Sequence, residues 1–169
     1  MFKGLLALLT TWLVSVPALA TNLFPLDKGW LGGDAAYSIP LKDGRILWLF
    51  GDTFTDMDLK GQRRWDTMVS NSVALTKKTA QGWEINYFSI SNEGKPAPFF
   101  KSSHPEIRYW PRHGFNTRGQ ATVFLSEVSH TATGPFGFEI SGTIMARFNL
   151  SEIGANTPMT YVRLNAPKE

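Results

Sequence analysis

Beyond residue 20 the chain has no stretch with the 3.6-residue apolar repeat of an amphipathic helix. Apolar residues come in short runs closed off by turn signals, which is the pattern of β-strands. Asp34 to Leu41 reads as a first strand, and Lys42-Asp43-Gly44 as a tight hairpin, because Asp-Gly suits turn positions that need positive φ. Arg45 to Gly51 (RILWLFG) is the returning strand, and its nearly unbroken apolar character predicts burial on both faces. A polar loop, Thr55 to Asp66, follows. Met68 to Leu75 is a third strand, and Trp83 to Ile90, after a turn near Gln81-Gly82, is a fourth.

The pattern then recurs. Glu106 to Trp110, Ala121 to Val128, Phe138 to Leu150 and Thr160 to Leu164 are four more strands, with a turn at Asn116 to Gly119. Leu47 to Asp52 aligns with Thr122 to Glu127, and Ser70 and Ser72 align with Ser141 and Thr143. The expected fold class is therefore all-β, built from two antiparallel four-stranded meanders over residues 21–95 and 96–169. Units of this layout are the blades of a β-propeller. Two blades cannot close a propeller, because each buries its faces against its neighbours. Either the chain is the N-terminal, truncated portion of a longer gene product, which is the favoured expectation, or the eight strands form a single β-sandwich.

Residues 1–20 have a different character. Lys3, the apolar run Leu5 to Val14 and the small residues of Ala18-Leu19-Ala20 form the three parts of a secretory signal peptide, cleaved before Thr21. The run is too short to serve as a permanent membrane span. The mature protein is thus expected to be secreted or periplasmic, with no membrane partner after cleavage. Seventeen Lys and Arg against 14 Asp and Glu give a net charge of +3, which becomes +2 once Lys3 is removed. No basic run accompanies this, so nucleic acid is not an expected partner. There is no cysteine, and aromatic residues make up 13% of the chain. Stability must come from packing rather than from disulfides. A truncated propeller would also leave apolar blade faces open to self-association.

Candidate chemistry is densest between Trp30 and Phe54. Folding residues 34–51 as a hairpin brings Asp34 opposite about Thr53, so Asp34 and Asp52 sit at the same end of the strand pair. Glycoside hydrolysis needs such a carboxylate pair, as acid and base or as acid and nucleophile. Trp30, Tyr37 and Trp48 nearby offer faces for stacking on sugar rings. Paired carboxylates also suit Ca²⁺, although no cofactor motif or Cys/His metal spacing is present. The structural alternative stays open: Gly-Asp-Thr at a strand end is a common turn, with the Asp capping local N–H groups. Asn71 lies mid-strand, positioned either to bond toward Asp34 or to satisfy the sheet locally. Trp110 and His113 belong to a second aromatic and polar cluster, Tyr109 to Gly114. Glu127 matches Asp52 in the repeat. Asp34 and Asp52 are therefore the catalytic candidates, and Trp30, Tyr37, Asn71, Trp110, His113 and Glu127 the candidates for binding substrate.

The strings Trp30-Leu31-Gly32-Gly33-Asp34, Ser38 to Leu41, Asp43-Gly44-Arg45, Leu47 to Phe54 and Asn71-Ser72 resemble the opening of a group of secreted bacterial domains of unknown function. That group is similar to five-bladed β-propeller glycoside hydrolases of the arabinanase type. The cluster Tyr109-Trp110-Pro111 and the strand Val123-Phe124-Leu125 resemble its second blade. The resemblance implies a polysaccharide or glycan as partner, with Asp34 facing a central funnel from the innermost strand. Such enzymes also draw carboxylates from later blades, which this chain does not supply. A non-catalytic glycan- or cell-wall-binding module is the alternative function.

Overall fold

The computed structural model describes residues 23–56, 60–89, 93–131 and 136–165. The expected export signal lies outside them. Strands β1 (Trp30–Gly33), β2 (Tyr37–Pro40), β3 (Ile46–Phe50), β4 (Thr53–Thr55), β5 (Met68–Val69), β6 (Ser72–Thr79) and β7 (Gly82–Phe88) make up the first half. β8 (Ile107–Thr117), β9 (Gln120–His130), β10 (Phe138–Asn149) and β11 (Thr160–Leu164) make up the second. They form two four-stranded sheets, in the orders β2-β3-β6-β7 and β8-β9-β10-β11, and a small third sheet, β1-β4-β5. Every described pairing is antiparallel. The all-β class and the four-strand meander order match the expectation; the small sheet does not appear in it.

The small sheet arises because three stretches of the chain break at one level. The first breaks at Asp34 to Ala36, where Ala35 and Ala36 adopt φ of 70° and 49°. That is the left-handed region, which costs a residue with a Cβ about 1–2 kcal/mol. The second breaks at Gly51-Asp52, between β3 and β4, and the third at Ser70-Asn71, between β5 and β6. On one side of this level the strands build the first large sheet, and on the other they build the small one. Period-2 reading does not by itself divide the segments between two sheets, although the polar residues Asp34, Asp52, Ser70 and Asn71 mark the break. The register is one residue from that expected: Tyr37 faces Leu49, and the Asp34 N–H donates to Asp52 O at 3.2 Å.

The central strands of the first large sheet, β3 and β6, are covered on both faces, as the run in β3 predicts, while the outer strands β2 and β7 are largely exposed. On one face Ile39, Leu47, Leu49, Val73 and Leu75 pack against Tyr109, Val123, Leu125, Ile144 and Phe148 of the second large sheet in one continuous core. On the other, Phe50, Ala74 and Ile85 meet Trp30, Phe24 and Tyr87. Each fully buried Leu or Val contributes about 1.5–3 kcal/mol through loss of its water contact. Phe99 and Phe100, in the connection between the two large sheets, are buried and pack on each other and on Phe148.

One side chain joins the halves by hydrogen bonds. Asn71 has no solvent exposure. Its Nδ2 donates to Phe100 O at 3.0 Å and to Tyr109 O at 2.8 Å, and its Oδ1 accepts from Phe100 N at 2.8 Å. Removing it strands two buried carbonyls and one buried N–H, each costing about 1–3 kcal/mol. Asn71→Ala is therefore expected to lower unfolding free energy by roughly 3 kcal/mol or more. Asn71→Asp should cost as much, since a carboxylate cannot donate to the two carbonyls. Urea melts check this, with the exposed Asn86→Ala as a control that should shift stability by less than about 0.5 kcal/mol.

Candidate functional site

The strand break puts Asp34 and Asp52 at the same level. A tight turn closed by Ala36 N donating to Asp34 O at 2.9 Å carries Asp34, and Gly51 N donates to the same carbonyl at 3.0 Å. The Asp34 carboxylate lies directly over Gly51. A Cβ there would collide with Oδ1, so a larger residue would push the Asp34 side chain off this position. The next turn is fixed from below: the hydroxyl of buried Thr53 donates to Gly51 O at 2.8 Å and meets the Ser72 hydroxyl at 2.9 Å. Asp34 is exposed, while Asp52 is half-buried.

Asp52 does not cap its own turn. Its Oδ1 accepts from Trp110 Nε1 at 3.1 Å, a bond from the second large sheet. Burial pushes the Asp52 carboxyl above its ordinary value. The Trp110 bond opposes that rise, the charge of Asp34 adds to it, and the charge of Arg108 opposes it. Asp52 thus holds its proton more tightly than an ordinary aspartate, next to a second carboxylate in water.

Between the sheets at this level lies a groove of about 490 Å³, lined by Asp34, Tyr37, Gly51, Trp110, Arg112, His113 and Ser126 among others. Tyr37 is exposed at one wall, with its ring centroid 6.2 Å from that of His113. Trp110 packs edge-on against Phe138, centroids 4.8 Å apart. The exposed His113 ring accepts the Gly114 N–H at 2.6 Å through Nδ1. Four sequence candidates, Asp34, Tyr37, Trp110 and His113, therefore line one groove, and Asp52 is tied to its wall through Trp110.

The remaining candidates sit elsewhere. Trp30 is buried, its indole stacked on Tyr87 with centroids 5.0 Å apart and planes 5° apart. Asn71 is the buried clamp between the halves. Glu127 is buried and accepts from Arg163 Nη1 at 2.7 and 3.0 Å and from Ser141 Oγ at 2.9 Å. That network fastens β11 to β9 across β10. Sequence reasoning passed over Arg112 and Ser126. The signal for Arg112 was the Pro-Arg-His-Gly string, which interrupts β8 with a bulge between Pro111 and Gly114. Among the described residues no group of three or more His, Cys, Asp or Glu side chains is placed to hold a metal ion. The same residues contain no helix long and apolar enough to cross a membrane.

The raised Asp52 value carries a stability signature. Its folded-state value lies above the ordinary 3.8, so the folded chain binds the proton more tightly than the unfolded chain. Stability from this group is full below 3.8 and falls as pH rises through the folded value. Asn at this position keeps an oxygen for Trp110 and does not ionise. Asp52→Asn should therefore gain stability relative to the parent as pH rises from 3.5 to 7. Thermal melts at both pH values check this, and a gain that shrinks toward neutral pH has the wrong sign.

The fold is shared with solved proteins. A candidate hydrolase from Bacteroides ovatus superposes with a TM-score of 0.61 at 17% identity, over 79% of this chain and 39% of its own. The chain thus spans about two fifths of that protein's length. No curated protein matches it. A family described as "Domain of unknown function (DUF5005)" matches residues 20–168. With nearly the whole chain inside that match, this protein belongs to the DUF5005 family.

Proposed function

We propose that this chain is an exported, carbohydrate-active protein that cleaves glycosidic bonds in a polysaccharide at the groove between its two large sheets. The carrying observation is the pair Asp34 and Asp52 at one strand break, one exposed and the other desolvated with its carboxyl pushed up. A desolvated carboxyl beside a solvent-exposed one suits an acid and its partner base or nucleophile. Asp52, protonated further up the pH scale, donates a proton to the leaving oxygen. Asp34, open to water, activates water or attacks the anomeric carbon. Tyr37 and Trp110 supply ring faces for the sugar. The two large sheets then serve as adjacent blades of a β-propeller, and the signal-like residues 1–20 deliver the protein to the periplasm or the medium. The family match beginning at residue 20 and the description of the structural neighbour as a candidate hydrolase both favour this reading.

The test is release of reducing ends from a panel of plant and bacterial polysaccharides by the purified protein, by Asp34→Asn and by Asp52→Asn. The parent is expected to hydrolyse at least one of them. Each variant should lose about 100-fold or more in kcat, the scale of a lost acid or base, with an unchanged circular-dichroism spectrum. Full activity in both variants would sink the assignment. Retention on an immobilised polysaccharide without hydrolysis would replace it with a glycan-binding role.

A further inference from the structure

The groove holds one charged side chain that the hydrolysis scheme does not use. Arg112 sits in the β8 bulge, where two residues, Arg112 and His113, stand between Pro111, paired with Leu125, and Gly114, paired with Val123. Bulges re-aim side chains beside active sites. This one is enforced by packing. A Cβ at Gly114 would collide with the carbonyl oxygen of Thr122 and lie 2.9 Å from Ile39 Cδ1.

The bulge delivers Arg112 to a buried anchor. Its Nε donates at 2.6 Å to the hydroxyl of Ser126, a residue only 3% exposed. That bond anchors one edge of a rigid, flat group and leaves its two-pronged end to the groove. Its terminal nitrogens, Nη1 and Nη2, have no acceptor among the described residues. Ion pairs there join Arg45 to Asp43, Arg64 to Asp66, Lys95 to Glu93 and Arg163 to Glu127. Arg112 joins none of them, although Asp34 lines the same groove. An oriented guanidinium with an open two-pronged edge beside two aromatic rings matches a planar carboxylate carried on a sugar ring. A bidentate pair of this kind is stronger and more selective than a neutral hydrogen bond.

We propose that the groove takes an acidic glycan, and that Arg112 grips the carboxylate of a uronic acid residue through Nη1 and Nη2. This rests on the groove being a sugar site, as argued above. The guanidinium lies in the same groove as Asp34, so the uronate occupies the cleavage position or one next to it.

Calorimetric titration of the full chain with three trisaccharides tests it: one of galacturonic acid, its carboxyl-reduced neutral counterpart, and a sulfated neutral one. The parent is expected to bind the uronide at least tenfold more tightly than the other two. Arg112→Gln should erase that preference while leaving affinity for the neutral sugar unchanged. Arg112→Lys, which keeps the charge and loses the fork, should retain part of the preference, and Arg147→Gln, at an exposed arginine, should retain all of it. Equal binding of uronide and neutral sugar by the parent, or an undiminished preference in Arg112→Gln, overturns the inference while leaving the hydrolase reading standing. Preference for the sulfated sugar overturns the carboxylate assignment. Failure of all three sugars to bind overturns this inference, while the hydrolase reading is judged separately by the reducing-end assay.

Discussion

The buried amide of Asn71 is the constraint on which the rest of the molecule depends. It lies at the break between β5 and β6 and bonds the backbone at Phe100 and at Tyr109. Tyr109 immediately precedes Trp110, whose indole reaches Asp52. The grip on one carbonyl therefore places the next side chain on the carboxylate. An apolar core alone would hold the two large sheets together. It would leave their sliding position weakly specified, because hydrophobic contact has no direction. Three directional bonds from a side chain without solvent exposure give the contact one register.

The strand break ties that register to the chemistry. Three segments change direction at the same level, and each places a polar side chain there: Asp34, Asp52 and Asn71. The arrangement carries strain, with Ala35 and Ala36 both left-handed, and the Asp34 carboxylate keeps its place only over a glycine at position 51. Strain of this kind persists only where the surroundings over-determine it, and such places tend to be functional. Here the surroundings are the Thr53 and Ser72 hydroxyls on one side and Trp110 on the other.

Much of the fold was legible because its signals are local. Alternation and turn residues mark the eight strands of the large sheets, and the Asp43-Gly44 turn sets the hairpin that brings Asp34 and Asp52 to one end. The small sheet was not legible. Its strands are two to four residues long, and one of them, β5, falls inside a run that reads as a single strand of the neighbouring sheet. The roles of Trp30, Asn71 and Glu127 were hidden for another reason. An aromatic ring, an amide and a carboxylate look the same in sequence whether they face a groove or a core partner 29 to 57 residues away, as Phe100 is to Asn71, Arg163 to Glu127 and Tyr87 to Trp30. Arg112 was missed because the bulge that aims it depends on the close approach of Gly114 to the neighbouring strand, which alternation does not encode.

The site that results is asymmetric. Asp34 sits in water on strained backbone, and Asp52 is half-enclosed and held from the opposite sheet. A carboxyl pushed above its ordinary value by burial, beside a second carboxylate open to water, is the property from which the proposed chemistry follows. The carbon-13 titration of the Asp52 carboxyl measures it most directly, assigned by comparison with Asp52→Asn. The account predicts a midpoint above the ordinary 3.8 in the parent, and a higher one still in Trp110→Phe, where the opposing hydrogen bond is gone. A parent midpoint at or below 3.8, or one that falls when Trp110 is replaced, would contradict it.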